Sequence, residues 1–214
     1  PYPPYDGHFT APGLDSSDDR LTNSCMHAGT WRNIGTLTKE WHMIRFTLIA
    51  LLALAGCTGK PDNIKPVTDF QPDKYLGTWY EIARIDHRFE KGLSQVTAEY
   101  SLRADGGIKV VNRGFDSKSG QWKQSVGKAR FVEGNDKGYL KVSFFGPFYG
   151  AYIVFELDEP GYQYALVSGP DTSYFWLLSR TPIMDPALRE RLLAIAVSKG
   201  FKREDIILVD QSPQ

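Results

Sequence analysis

The sequence predicts an all-β protein: an eight-stranded, antiparallel, up-and-down barrel with a C-terminal α-helix packed on its wall. Three observations point there. Short runs with alternating side chains follow one another from residue 77 to residue 179. Gly, Asp and Pro punctuate them, as in Asp105-Gly106-Gly107, a tight-turn signal. After Asp185 the apolar period changes from two to helical spacing.

Composition narrows the function classes. The chain has 214 residues and a formal net charge of zero, which argues against a nucleic-acid partner. Aromatic residues make up 13%, a level that favours strands and large apolar contact surfaces. The only cysteines are Cys25 and Cys57, and His8, His27 and His42 all precede residue 43. A zinc site of His and Cys in the body of the chain is therefore not expected, and no cofactor is implied.

Residues 1–42 mix Pro, Gly, Asp, Ser and Asn without apolar periodicity, and read as an upstream extension with disorder expected. Residues 43–56 have the parts of a signal peptide: Arg45, then the ten apolar-rich residues Phe46 to Ala55. That run is too short to cross a bilayer as a helix, which takes about 20 residues. Leu54-Ala55-Gly56-Cys57 resembles the bacterial lipobox, which implies lipidation of Cys57. Residues 57–72, with three prolines, read as a tether, and 73–214 as the barrel domain.

Asp73 is placed to cap a short turn through Tyr75. Strands are expected near 77–85, 93–102, 108–115, 122–131, 138–145, 151–157, 162–168 and 174–179. Asp185 caps the helix, Pro186 fits its first turn and Gly200 ends it. Leu188, Leu192, Ile195 and Ala196 form its apolar face. Ile206 to Val209 can add a last short strand.

Alternation assigns the inward side chains. If Trp79 points in, so do Glu81 and Ala83. Val96, Ala98 and Tyr100 share a face, as do Ile108, Val110 and Asn112. Gly127, Ala129 and Phe131 form another set, Leu140, Val142 and Phe144 the next. Tyr174, Trp176 and Leu178 share the parity of Arg180. These sets are apolar and aromatic, the chemistry of a site for an acyl chain or another small hydrophobic ligand.

Gly77-x-Trp79 opens the first strand and Arg180 follows the eighth in "LLSRTP". With "YLGTWYEIAR", "DHRFEKG" and "KVSFFGPFYG", this pattern resembles the lipocalin family, and within it the bacterial outer-membrane members, with apolipoprotein D as an animal relative. The resemblance covers residues 70–210. It implies that Gly77, Trp79 and Arg180 are structural, with Arg180 across the face of Trp79 at the closed end. It places Tyr100, Asn112 and Trp176 along a pocket, to which parity adds Val142 and Phe144. It also implies a lipoprotein on the periplasmic side of the outer membrane that binds lysophospholipid or fatty acid.

The aromatic stretch holding Phe144, Phe145, Phe148 and Tyr149 falls at the open mouth, where it is free to gate the pocket, touch the membrane or make a homodimer contact. Arg88 and Lys91 lie at the same mouth and suit a phosphate headgroup. Two other function classes stay open. One is a lipocalin-fold enzyme, against which stand the absence of a GxSxG elbow and the single mature histidine, His87. The other is a structural envelope lipoprotein with a filled barrel, against which stand the small Ala83, Ala98, Gly127 and Ala129. Glu81 either faces the lumen or joins a structural network near the base; the structural reading is favoured.

Overall fold

Period-two alternation folds most of the chain into one sheet that closes on itself. The computed structural model describes residues 59–212. The expected extension 1–42, the signal peptide 43–56 and Cys57 lie outside the described residues. A helical turn, α1 (Pro72–Tyr75), precedes the strands β1 (Gly77–Ile85), β2 (Leu93–Leu102), β3 (Ile108–Asp116) and β4 (Gln121–Phe131). Then come β5 (Tyr139–Ser143), β6 (Gly150–Leu157), β7 (Tyr164–Ser168) and β8 (Phe175–Ser179). The helix α2 (Pro186–Ser198), a 3₁₀ turn (Arg203–Asp205) and β9 (Ile206–Leu208) complete the order.

Neighbouring strands pair antiparallel in chain order, and β1 pairs with both β8 and β2, which closes an eight-stranded barrel. The β1–β2 seam is split. Gly77 to Tyr80 pairs with β2, whereas Ala83 to Ile85 pairs with β9. The chain after β9 stitches the gap. The Gln211 side-chain amide donates to the Glu81 carbonyl at 2.7 Å and to the Val96 carbonyl at 3.0 Å.

Two apolar layers result. One fills the barrel, with Phe70, Tyr75, Trp79, Tyr100, Val110, Ala129, Leu140 and Leu178 among its buried members. The other lies outside, where β6, β7 and β8 meet α2. The helix begins as its sequence dictates, with Asp185 Oδ1 accepting from the Leu188 amide at 2.9 Å. Leu192, Leu193 and Ala196 are buried, with Leu188 and Ile195 partly so. Leu193 widens the expected apolar face, as suits a helix lying on a curved wall.

Residues 59–72, the described part of the expected tether, lie along the barrel. Ile64 and Phe70 are buried. The Val67 amide donates to the Val154 carbonyl, and the Gly138 amide to the Val67 carbonyl, each at 2.9 Å.

One expectation from alternation is corrected. A β-bulge between Glu81 and Ala83 shifts the register of β1 against β8. An extra residue reverses parity beyond it. Ala83 therefore packs in the outer layer with Ile82, not in the lumen. Arg84 comes opposite lumen-lining Trp176 in its place.

Candidate functional site: the barrel lumen

The floor is built from the motif that opens β1. The Trp79 indole Nε1 donates to the Tyr75 carbonyl at 2.8 Å, and the two rings pack tilted with centroids 4.8 Å apart. Below Trp79, the Arg180 guanidinium lies 3.8 Å from its ring centroid. Arg180 also donates to the Lys74, Thr78 and Tyr162 carbonyls, tying α1, β1 and the β6–β7 turn together. Gly77 has φ +92°, and a Cβ there would meet Arg180 Nη1 at 3.5 Å. Trp79 is fully buried, a plug whose lumen side is covered by Tyr75.

Above the plug, three tyrosines from separate elements converge. The Tyr152 hydroxyl is 2.7 Å from that of Tyr75 and 2.8 Å from that of Tyr100. Burial pushes the pKa of each hydroxyl up, so all three stay protonated. They present a neutral, hydrogen-bonded floor. Tyr100 thus sits in the lumen, with Tyr152 as a neighbour that the sequence did not single out. The β6 run "AYIVFEL" is apolar on both faces, so alternation alone does not tell its sides apart.

The walls above the floor keep accessible surface. Ala98, Val142, Phe144 and Trp176 belong to the lumen layer but are only partly buried. Phe144 crosses close to β4, and a Cβ on Gly127 would meet its ring at 2.9 Å. Asn112 faces Ala98 on β2 and Ser125 on β4. Its Oδ1 is buried with no hydrogen-bond partner among the described residues.

A charged network occupies the lumen side of the bulge. The Arg84 guanidinium is buried and donates to Glu81 Oε1 at 2.8 Å, to Asp86 Oδ1 and to the Glu90 carbonyl. The Trp176 indole donates to Glu90 Oε2 at 3.1 Å. Burial and the nearby Glu90 charge push the Glu81 carboxyl up, against the pull of Arg84. Burial also raises Glu90, while the hydrogen bond from Trp176 and the Arg84 charge act in the other direction. Glu81 is therefore part of a buried network at the mid-strand bulge. Arg84 and Glu90 were missed in the sequence. The available signal was an arginine three residues after a glutamate within an apolar strand.

The mouth carries the remaining sequence-derived candidates. Arg88 and Lys91 are exposed on the β1–β2 loop. His87 in that loop stacks on Tyr174 with centroids 4.0 Å apart, and burial lowers its pKa. Phe145 and Phe148 are 80% and 77% exposed on the β5–β6 loop. Tyr149 is half-buried between Lys128 and Lys141, whose ammonium groups lie 5.9 and 5.5 Å from its ring centroid. The structure thus gathers Tyr100, Asn112, Val142, Phe144 and Trp176 in the lumen. Arg88 and Lys91 lie on a different mouth loop from Phe148 and Tyr149. No group of three or more His, Cys, Asp or Glu side chains suited to a metal occurs among the described residues.

This closed barrel, with its plugged floor and following helix, can be set beside known proteins. Residues 70–211 match the lipocalin-like domain. The chain belongs to the lipocalin family. Outer membrane lipoprotein Blc of Vibrio cholerae is 54% identical over 166 residues, covering 78% of this chain and 97% of that protein. Outer membrane lipoprotein Blc of Escherichia coli K12 is 52% identical over 165 residues, covering 77% and 93%. Among solved structures, insecticyanin from the tobacco hornworm Manduca sexta matches with a TM-score of 0.58. It is 22% identical, with coverage of 72% of this chain and 86% of that one, so the likeness concerns the lipocalin fold alone. The two bacterial lipocalins support an outer-membrane, lipid-anchored location for this chain. Lipocalins are generally binding proteins, not enzymes.

Proposed function

We propose that this lipocalin is a lipid carrier that takes a lysophospholipid or a fatty acid into its lumen, and that it is not an enzyme. The observation that carries the reading is the contrast inside the barrel. Trp79 and Tyr75 are sealed at the floor, while Trp176, Val142, Phe144 and Ala98 keep accessible surface above them. Apolar walls of this kind suit an acyl chain, which gains about 0.8 kcal/mol for each buried CH₂ before association costs. The unpaired Oδ1 of Asn112 suits a ligand hydroxyl such as that of a glycerol backbone. Arg88 and Lys91 are free to meet a phosphate at the mouth, with Phe148 and Tyr149 on another part of the rim. Cys57 is the proposed attachment point of the lipid anchor. The self-association suggested by the aromatic rim is left as an outcome of mass measurement.

The test is a titration of wild type, Trp176→Ala and Arg88→Ala with lysophospholipid and fatty acid, followed by tryptophan fluorescence. Saturable change is expected in wild type. Trp176→Ala is expected to bind about 1–3 kcal/mol more weakly through lost aromatic contact. Arg88→Ala is expected to lose preference for the phosphate-bearing ligand. Unchanged affinity in Trp176→Ala would place the lipid elsewhere.

A further inference from the structure

The outer wall of β3, β4 and β5 carries an unusual run of like charge. Lys109 on β3 is the register partner of Lys128 on β4, and Arg130 on β4 is the partner of Lys141 on β5. Like charges directly opposite on a sheet destabilise it. Such an arrangement is retained at a cost, which calls for an external counter-charge. Little is available within the protein. Asp105 is taken by Arg103 and Arg130. Lys109, Lys128 and Lys141 make no ion pair among the described residues, and the latter two lie over the Tyr149 ring. Glu99 lies on β2 opposite Val111, two register positions from Lys109, without bonding to it.

The same wall runs up to exposed apolar groups. Val126 on β4 is 52% exposed, and Phe145 and Phe148 stand on the loop after β5. The barrel is also open sideways here. β5 pairs only with Lys128 to Phe131 of β4, so Gln121 to Gly127 is held by β3 alone. Gln121 to Val126 is exposed on both faces. Lumen-facing Phe144 packs over Gly127 at the base of this gap.

We propose that this wall docks on an anionic phospholipid surface, with Lys109, Lys128, Arg130 and Lys141 against the headgroups and Phe145 and Phe148 in the interface. The occupant follows from charge complementarity. A basic wall flanked by exposed aromatic side chains matches an anionic bilayer surface, whose attraction for each nearby Lys or Arg falls off within a Debye length. A second copy meeting the same face would bring four cations against four. Docking would turn the lateral gap beside Phe144 toward the lipid. The inference goes beyond the lumen reading and does not need a ligand inside the barrel.

The test uses the full chain carrying Cys57→Ala, so that no lipid anchor contributes. Its co-sedimentation is measured with phosphatidylglycerol vesicles and with phosphatidylcholine vesicles, at low and high salt. Binding to the anionic vesicles alone, weakened by salt, is expected. Neutralising Lys109, Lys128 and Lys141 to Gln is expected to weaken it about tenfold or more. Phe145→Ser with Phe148→Ser is expected to weaken what survives at high salt. Lysophospholipid titration of the lysine variant reports separately on the lumen and is expected to be unchanged. Equal binding to both vesicle types, no binding to either, or full binding by the lysine variant would overturn the proposal. A dimer that dissociates on lysine neutralisation would also overturn it, assigning the face to a second copy.

Discussion

Arg84 Nη1 lies 2.8 Å from Glu81 Oε1, although the two residues are three apart on one strand. Strict alternation would send them to opposite faces. The bulge brings them to the same one, where the Arg84 guanidinium meets the carboxylates of Glu81 and Asp86 and the backbone carbonyl of Glu90. The arrangement makes the fold sensitive to pH. Glu81 and Glu90 bind protons more tightly in the folded barrel than in the unfolded chain, because burial raises both. Their protonated forms therefore favour the fold, and that contribution falls as pH rises above the ordinary carboxylate value of 4.5. The urea midpoint is expected to fall between about pH 5 and about pH 8, and to fall less in Glu81→Gln. A wild-type midpoint that rises across this window would contradict the account.

Removing the cation from that network has a different signature. Arg84→Met leaves Glu81 and Glu90 buried without their guanidinium. A loss of about 3–5 kcal/mol is expected above about pH 8, where Glu81 is ionised, as for a broken buried pair. The loss is expected to shrink in acid, where the carboxyls are neutral. Urea unfolding at both pH values checks this, and an equal loss at each would disprove the pairing.

Trp79 and Arg180 are expected to act as one stabilising unit. Trp79→Ala removes a fully buried indole and is expected to cost about 3–5 kcal/mol. Arg180→Ala is expected to cost less. The double variant is expected to lose less than the sum, because the groups touch at 3.8 Å. Additive denaturant midpoints would remove the stacking contribution.

The anchor is tested at one residue. Cys57→Ala is expected to abolish incorporation of labelled palmitate. A single acyl chain holds a protein only marginally, whereas two or more hold it stably. Palmitate label on the variant would move the anchor elsewhere.

Much of this was legible in the sequence for local reasons. Gly77, Trp79 and Arg180 are set by chain geometry and a short motif, and the helix start at Asp185 and Pro186 by backbone bonding. Tyr100 and Trp176 followed from parity because no register shift falls beyond Thr97 in β2 or within β8. Arg84 did not, because the bulge that turns it inward is fixed by pairing with β8 and β9, which are distant in sequence. Tyr152 was hidden by a strand buried on both faces, with Tyr152 in the lumen and Ile153 under the helix. Ile64 and Phe70 read as isolated apolar residues among prolines; the surfaces that cover them exist only once the barrel has closed.

The lumen is tested most directly by native mass spectrometry of the intact chain purified from its own host. The account expects a lysophospholipid or fatty acid adduct at one per barrel, lost on delipidation and regained with added lipid. The same adduct should be absent from Ala98→Trp, which fills the lumen above the tyrosine floor. A barrel that carries no lipid and regains none would contradict the account, as would Ala98→Trp retaining the wild-type adduct.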